Sequence, residues 1–279
     1  MAAALPFVSR TAAFPRTSSG RTIIGHHHHA AKRWLQRRYD RRAEAFGSAA
    51  EEYDRHRPRY PAALIAGLVA DDARVLDVGA GTGIASAQLV EAGADVLAVE
   101  PDTRMAHVAA GKGIHVEQAT FEDWQPAGRS FDLVVFAQSF HWVQPRVALK
   151  KVATILSPDG RCALLSNRIT PLSPTPQDFD EAYAGYLNVA QRPPIDAAHD
   201  DDLTAMIEEC GFSIERRGVV EQLHYATEDW LNMVFTYSNV LTLDPVARAG
   251  LRSRLAQCIG AGGVDARNDA VAVVCTPQR

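Results

Sequence analysis

From about residue 43 the hydrophobic positions change their period repeatedly along the chain. "RVLDVG" (74–79), "DVLAVE" (95–100), "IHVEQA" (114–119), "FDLVVFAQ" (131–138) and "GRCALLSN" (160–167) are short, nearly continuous apolar runs rich in Val and Leu. Parallel strands buried on both faces have this pattern. Between them, Ile84–Glu91, Thr103–Gly111 and 145–156 are compatible with helices, and the last is followed by the stop signal "SPDG". This alternation predicts right-handed βαβ units and the α/β class: a Rossmann-like, mostly parallel sheet with helices on both faces.

Downstream, "ITPLSPTP" reads as a Pro-rich loop. Helices are expected over 177–190, 201–210 (stopped by Gly211), 228–241 and Pro245–Ile259. Strands are expected at "SIERRGVVEQLHY" (213–225) and "DAVAVVCT" (269–276), which brings the sheet to seven, the last strand antiparallel. No internal repeat and no second domain is visible. The expectation is one sheet with helical insertions over its C-terminal edge.

Composition narrows the class without naming a function. The 279 residues are 47% hydrophobic and 22% charged, ordinary for a soluble globular protein. No stretch approaches the roughly 18 consecutive apolar residues of a membrane span, so a cytoplasmic protein without membrane attachment is expected. Four scattered cysteines, without metal-ligand spacing, read as buried thiols in a reducing compartment. The net charge of −4 hides an asymmetry: residues 1–42 carry nine basic residues and one acidic, the remainder 20 and 32. So acidic a fold is a poor partner for phosphate backbones, and no nucleic-acid partner is expected. Residues 1–42 have a transit-peptide-like composition around "FVSRTAAFPRTSSGR" and are read as a disordered extension of a domain spanning 43–279. "HHHH" (26–29) has no second cluster, so no metal site is assigned.

The chemistry centres on "VLDVGAGTG" (75–83), a glycine turn between the first strand and the first helix. A triphosphate loop needs GxxxxGK and Ser or Thr, which are absent here. A dinucleotide turn needs GxGxxG, but the third position is Ile84. Asp77, two residues before the first glycine, would repel a pyrophosphate and suits a ligand with an ammonium and a sulfonium. S-adenosylmethionine is such a ligand. Glu100 closes the next strand, where a ribose diol would sit.

With these features, "YDRHRPRYP" (53–61), "VEPDTRM" (99–105), "FEDW" (121–124) and "FDLVVFAQSFHW" (131–142) make residues 43–279 resemble the class I S-adenosylmethionine-dependent methyltransferases, in the small-molecule branch of trans-aconitate methyltransferase-like proteins. The resemblance implies that Gly79, Ala80, Gly81 and Gly83 approach the cofactor with their backbone, and that Asp77 acts electrostatically beside them. It implies that Glu100 holds the ribose, that Pro101 and Met105 pack on adenine, and that Ala137 and Gln138 lie beside the sulfonium. Relatives often carry an Asp at the position of Thr120; here Thr120 or the Phe121 backbone would hold adenine.

Tyr53 would lie near the cofactor carboxylate or the acceptor, with Arg57 as an anion clamp; a plain surface helix end is the alternative. His141 is either a general base or, with Trp142, a wall of the acceptor pocket. The fourth strand leads into neither an Asn/Asp-Pro-Pro-aromatic turn nor a cysteine nucleophile, which points away from bases of nucleic acid. The expectation is methyl transfer to a small molecule at oxygen, a carboxylate or hydroxyl, by a monomer or homodimer. An NAD(P)-dependent oxidoreductase and a non-catalytic cofactor-binding protein remain as alternatives.

Overall fold

A computed structural model describes residues 49–187 and 201–278. The 1–42 extension and the 188–190 end of one expected helix lie outside them. The seven strands are β1 (Arg74–Val78), β2 (Asp95–Val99), β3 (His115–Glu117), β4 (Phe131–Ala137), β5 (Leu156–Ser173), β6 (Phe212–Tyr225) and β7 (Val264–Pro277). They form one sheet in the order β3-β2-β1-β4-β5-β7-β6. The pairs from β3 to β5 are parallel, whereas β7 inserts antiparallel between β5 and β6. The chain steps outward from β1 to β2 and β3, then returns to place β4 on the other side of β1. At such a switch point a crevice opens at the carboxyl ends of the strands.

Alternating residues supply two cores. On one face, Val75 of β1 and Leu133 and Val135 of β4 pack with Leu64 and Ile65 of α2 (Ala62–Ala66) and Leu89 of α3 (Ile84–Glu91), which follow α1 (Ala50–His56). On the other, Leu76, Val78, Val134 and Phe136 pack with Leu149 and Val152 of α5 (Pro145–Ile155), which follows α4 (Thr103–Gly111), and with Ile207 of α7 (Asp201–Glu209). Both registers follow from the two-residue period of a strand. α4 begins where the Asp102 carboxylate accepts from the amides of Arg104 and Met105 at 2.9 and 3.2 Å.

Three expectations downstream are corrected. Most of the segment read as a Pro-rich loop is strand: β5 runs through Ile169 and Pro171 to Ser173, paired with β7 as far as Asp265. That extension rests on a third cluster, in which Phe179 and Tyr183 of α6 (Pro176–Tyr183) meet Trp230 and Leu231 of α8 (Thr227–Val234) and Leu251 and Leu255 of α10 (Pro245–Ile259). The burial comes from elements distant in sequence, so no local period announces it. The helix expected over 177–190 stops at Tyr183, where Ala184 turns extended and Gly185 takes a φ of 85°. The run 228–241 divides into α8 and α9 (Ser238–Leu241), because the Thr236 hydroxyl donates to the Met233 carbonyl at 2.6 Å. A hydroxyl bonding back to the turn competes with helix continuation.

The Phe136 ring, fully buried, lies edge-on to Phe121 and Phe140 at 5.6 and 5.1 Å between centroids. Phe136→Ala should lower unfolding free energy by about 3–5 kcal/mol, read from the urea midpoint. A loss below about 1 kcal/mol would show that this face of the core collapses into the cavity.

Candidate functional site

The switch point is built around the glycine turn. Gly79, Gly81 and Gly83 all have left-handed φ, at 66°, 58° and 78°, a conformation that L side chains resist. Each is constrained differently. A Cβ on Gly79 would sit 2.7 Å from the Ser139 Cβ, and one on Gly83 would sit 3.0 Å from the Ala109 Cβ. A Cβ on Gly81 would meet nothing within 4 Å, so its open side is where a ligand can approach the backbone. The amides of Gly79 and Ala80 donate to the Val99 carbonyl at 2.8 and 3.2 Å, folding the turn over the tip of β2.

Two buried carboxylates flank this turn. Glu100 accepts from the Gly81 amide at 2.8 Å and from the Asp102 amide at 2.9 Å, one on each oxygen. Each oxygen keeps a further lone pair for a ligand hydroxyl. Desolvation raises its pKa. Asp77 is fully buried; its Oδ2 accepts from the Ser86 hydroxyl at 2.6 Å, while its Oδ1 has no partner among the described residues. Burial pushes its pKa up to about 6, partly offset by Ser86. A buried carboxylate oxygen without a partner is costly, and a cation at the turn would relieve that cost. The donor set therefore fits a ligand with a positive group at the Asp77 end and hydroxyls at the Glu100 end.

The other expected positions fall around this centre in different ways. Pro101 is exposed and Met105 is buried at the start of α4. Thr120 is exposed and paired with Asp123, donating to its carboxylate at 2.8 Å and accepting from its amide at 3.2 Å. The Phe121 ring belongs to the core, and its carbonyl accepts from the Lys151 ammonium at 2.5 Å. Ala137 ends β4 half-buried. Gln138 has a left-handed φ of 54°, and its side chain donates to the Asn167 carbonyl at 3.3 Å. His141 and Trp142 lie on the single helical turn Phe140–Trp142, ring centroids 4.8 Å apart. His141 is exposed, and partial desolvation lowers its pKa, keeping the imidazole neutral at physiological pH.

Across the fold, the Arg57 guanidinium lies over the Tyr53 ring at 4.6 Å and the Tyr237 ring at 4.1 Å. Its Nε donates to the Thr236 hydroxyl at 2.9 Å.

Several residues at the site went unremarked in the sequence. Buried Ser139 donates its hydroxyl to the Val78 carbonyl and fills the space that Gly79 leaves. Ser86 holds Asp77, and Gln88 clamps the backbone of Tyr60 through bonds of 2.9 and 2.7 Å. The signal for the last two was present: Ser86 and Gln88 are polar residues inside the otherwise apolar start of α3.

Residues 76–164 match the family model described as a methyltransferase domain. An uncharacterized methyltransferase of Mycobacterium tuberculosis is 44% identical over 126 residues, 44% of this chain and 52% of that protein. One from Schizosaccharomyces pombe is 26% identical over 158 residues, 50% of this chain and 61% of that protein. The chain thus spans about half the length of the curated relatives it matches. A solved structure from Anaeromyxobacter dehalogenans, described as a candidate type II methyltransferase, has a TM-score of 0.56 at 22% identity, covering 80% of this chain and 97% of its own. That likeness is one of fold, and the fold is Rossmann-like. Among the described residues no helix is long and apolar enough to cross a membrane.

Raising a folded-state carboxyl pKa from 3.8 to about 6 destabilises the fold as pH climbs between those values, because the charged form is the penalised one. Below the lower value both states are protonated and the penalty is absent. Asp77→Asn, measured without ligand, should therefore be more stable than the parent by up to about 3 kcal/mol at pH 7–8. The difference should vanish toward pH 4, as read by thermal melts across pH. A difference independent of pH would show that Asp77 does not titrate this way.

Proposed function

We propose that the protein is an S-adenosylmethionine-dependent methyltransferase acting on a small-molecule acceptor, at an oxygen of a carboxylate or hydroxyl. The observation that carries the cofactor reading is the buried Asp77 oxygen without a partner beside a glycine turn whose middle residue borders open space. A pyrophosphate would meet repulsion there, and a sulfonium with an ammonium would meet attraction. The methyltransferase-domain match over 76–164 supports the same reading. When bound, S-adenosylmethionine supplies an electrophilic methyl group on a sulfonium sulfur, open to in-line attack by an acceptor lone pair.

The chain's part is to bind, align and keep water out. Gly79, Ala80, Gly81 and Gly83 offer backbone rather than side chain, which brings the cofactor close. Asp77 supplies the negative field at its cationic end, and the free lone pairs of Glu100 accept from the ribose hydroxyls. Pro101 and Met105 form the apolar contact for adenine, with Thr120 and Phe121 at its edge. Ala137 and Gln138 border the reacting centre.

A carboxylate acceptor needs no base, so positioning supplies most of the rate. A hydroxyl acceptor loses a proton, and in this reading neutral His141 takes it. Otherwise His141 and Trp142 wall the acceptor side. The acidic fold and the sequence after β4 favour a metabolite over nucleic acid, and we assign the protein to the trans-aconitate methyltransferase-like branch, a cytoplasmic monomer or homodimer. An NAD(P)-dependent oxidoreductase is disfavoured by Asp77 and Ile84.

Calorimetry with S-adenosylmethionine, S-adenosylhomocysteine and NAD should show binding of the two sulfur ligands only; binding of NAD alone would overturn the assignment. Glu100→Ala should weaken both sulfur ligands by about 10- to 100-fold. Asp77→Asn should weaken S-adenosylmethionine more than S-adenosylhomocysteine, since only the former carries the sulfonium. Equal losses would remove the electrostatic role of Asp77. Consumption of labelled cofactor against a metabolite library would then separate an enzyme from a passive binder. With an acceptor in hand, His141→Ala turnover equal to the parent's across pH would leave His141 a wall.

A further inference from the structure

The chain leaving β3 stays bound to the turn after β2. The Glu100 amide donates to the Glu117 carbonyl at 3.3 Å, and the Gln118 side-chain amide donates to the Pro101 carbonyl at 3.3 Å and to the Thr103 hydroxyl at 2.5 Å. Two residues on, 120–124 close one tight turn: the Trp124 amide donates to the Thr120 carbonyl at 2.9 Å and the Asp123 amide to the Thr120 hydroxyl at 3.2 Å. These bonds put that turn beside Glu100 and Pro101.

Lys151 of α5 ends at the same turn. Its ammonium donates to the carbonyls of Phe121 at 2.5 Å, of Glu122 at 3.3 Å and of Trp124, one acceptor for each of its three N–H bonds. The rings of Phe121 and Trp124 lie 4.9 and 5.5 Å from it. The fold of this loop has other anchors. Both rings are buried in the core, and Arg129 pairs with Glu117 at 2.6 and 3.0 Å while donating to the carbonyls of Gln125 and Pro126. What Lys151 adds is the tilt of the peptide planes. A trans peptide points its carbonyl and its amide in opposite directions. With the carbonyls of Phe121 and Glu122 drawn to one ammonium, the amides of Glu122 and Asp123 are turned away from it. The Asp123 amide is taken up by Thr120, and the Glu122 amide has no partner among the described residues.

Resting on the methyltransferase reading above, we infer that Lys151 is a positioning residue for the nucleobase: by gathering three carbonyls at one point it aims the Glu122 amide at the ring edge of adenine, and so sets the preference for that base. An amide donor matches N1 of adenine, which offers a lone pair, and opposes N1 of hypoxanthine, which carries a proton. Lys151 itself touches no ligand in this arrangement; it acts through the Phe121–Glu122 peptide.

The test titrates the full chain calorimetrically with S-adenosylhomocysteine and with S-inosylhomocysteine, which differ only in the base. The parent should bind the adenine ligand more tightly by about 10- to 100-fold. Lys151→Met should bring the two affinities to within about threefold of each other, chiefly by weakening S-adenosylhomocysteine. Lys151→Arg, whose planar fork cannot bring three donors to one point, should give a ratio between those of the parent and the Met variant. It keeps the test readable if the Met variant fails to fold. A merely structural role for Lys151 would lower the melting temperature of the variants and leave the ratio of the two affinities as it is in the parent. An unchanged ratio in either variant therefore overturns the inference, and so does a parent that binds both bases equally. A parent protein that binds neither sulfur ligand removes the methyltransferase reading first, and this one with it.

Discussion

The carboxylate of Glu100 holds two loops at once, and the geometry of the site follows from that bridge. One oxygen takes the amide of Gly81 in the glycine turn and the other takes the amide of Asp102, the residue that caps α4. Without it, a left-handed turn rich in glycine has little to choose one conformation over another. With it, the turn after β1 and the turn after β2 share one anchor between them. Ser139 completes the arrangement from the third side, bonding the Val78 carbonyl and closing on Gly79. Three successive strands of the sheet, β2, β1 and β4, are thereby locked together at their carboxyl ends.

This rigidity has a cost that is concentrated where a ligand would offset it. Asp77 lies fully buried with one oxygen unpartnered, and Glu100 is nearly as buried. Both carboxyl groups titrate above their ordinary range because desolvation dominates. Local rules of polar satisfaction are broken here while the surrounding core obeys them, a combination expected of a functional site. The sheet tolerates the penalty because hydrophobic cores on both its faces leave its strand ends no freedom to relax.

The C-terminal helices have a second role beyond covering the long β5–β7 pair. They bring Thr236 and Tyr237 to Arg57, Thr236 across a separation of 179 residues, and so tie the end of α1 to the C-terminal helices. The break between α8 and α9 makes this possible. A continuous helix over 228–241 would carry Thr236 in a regular turn, whereas the break frees its hydroxyl and carbonyl to accept from the guanidinium.

Local sequence carried the order of strands and helices, the glycine turn and the two carboxylates beside it. These properties depend on periods of two and three to four residues, and on a carboxylate two places from a glycine. Ile84–Glu91 and Thr103–Gly111 have the same bounds in the chain and in the fold for that reason. Partnerships were different. That Ser139 would fill the space of Gly79, that Ser86 would hold Asp77, and that Arg57 would meet Thr236 and Tyr237 depend on how separate elements cross. The extension of β5 through Pro171 belongs with them, since its partner β7 lies some hundred residues on. A hydrogen bond or a stacked ring needs a second group at a defined distance, and only the closed fold brings that group there.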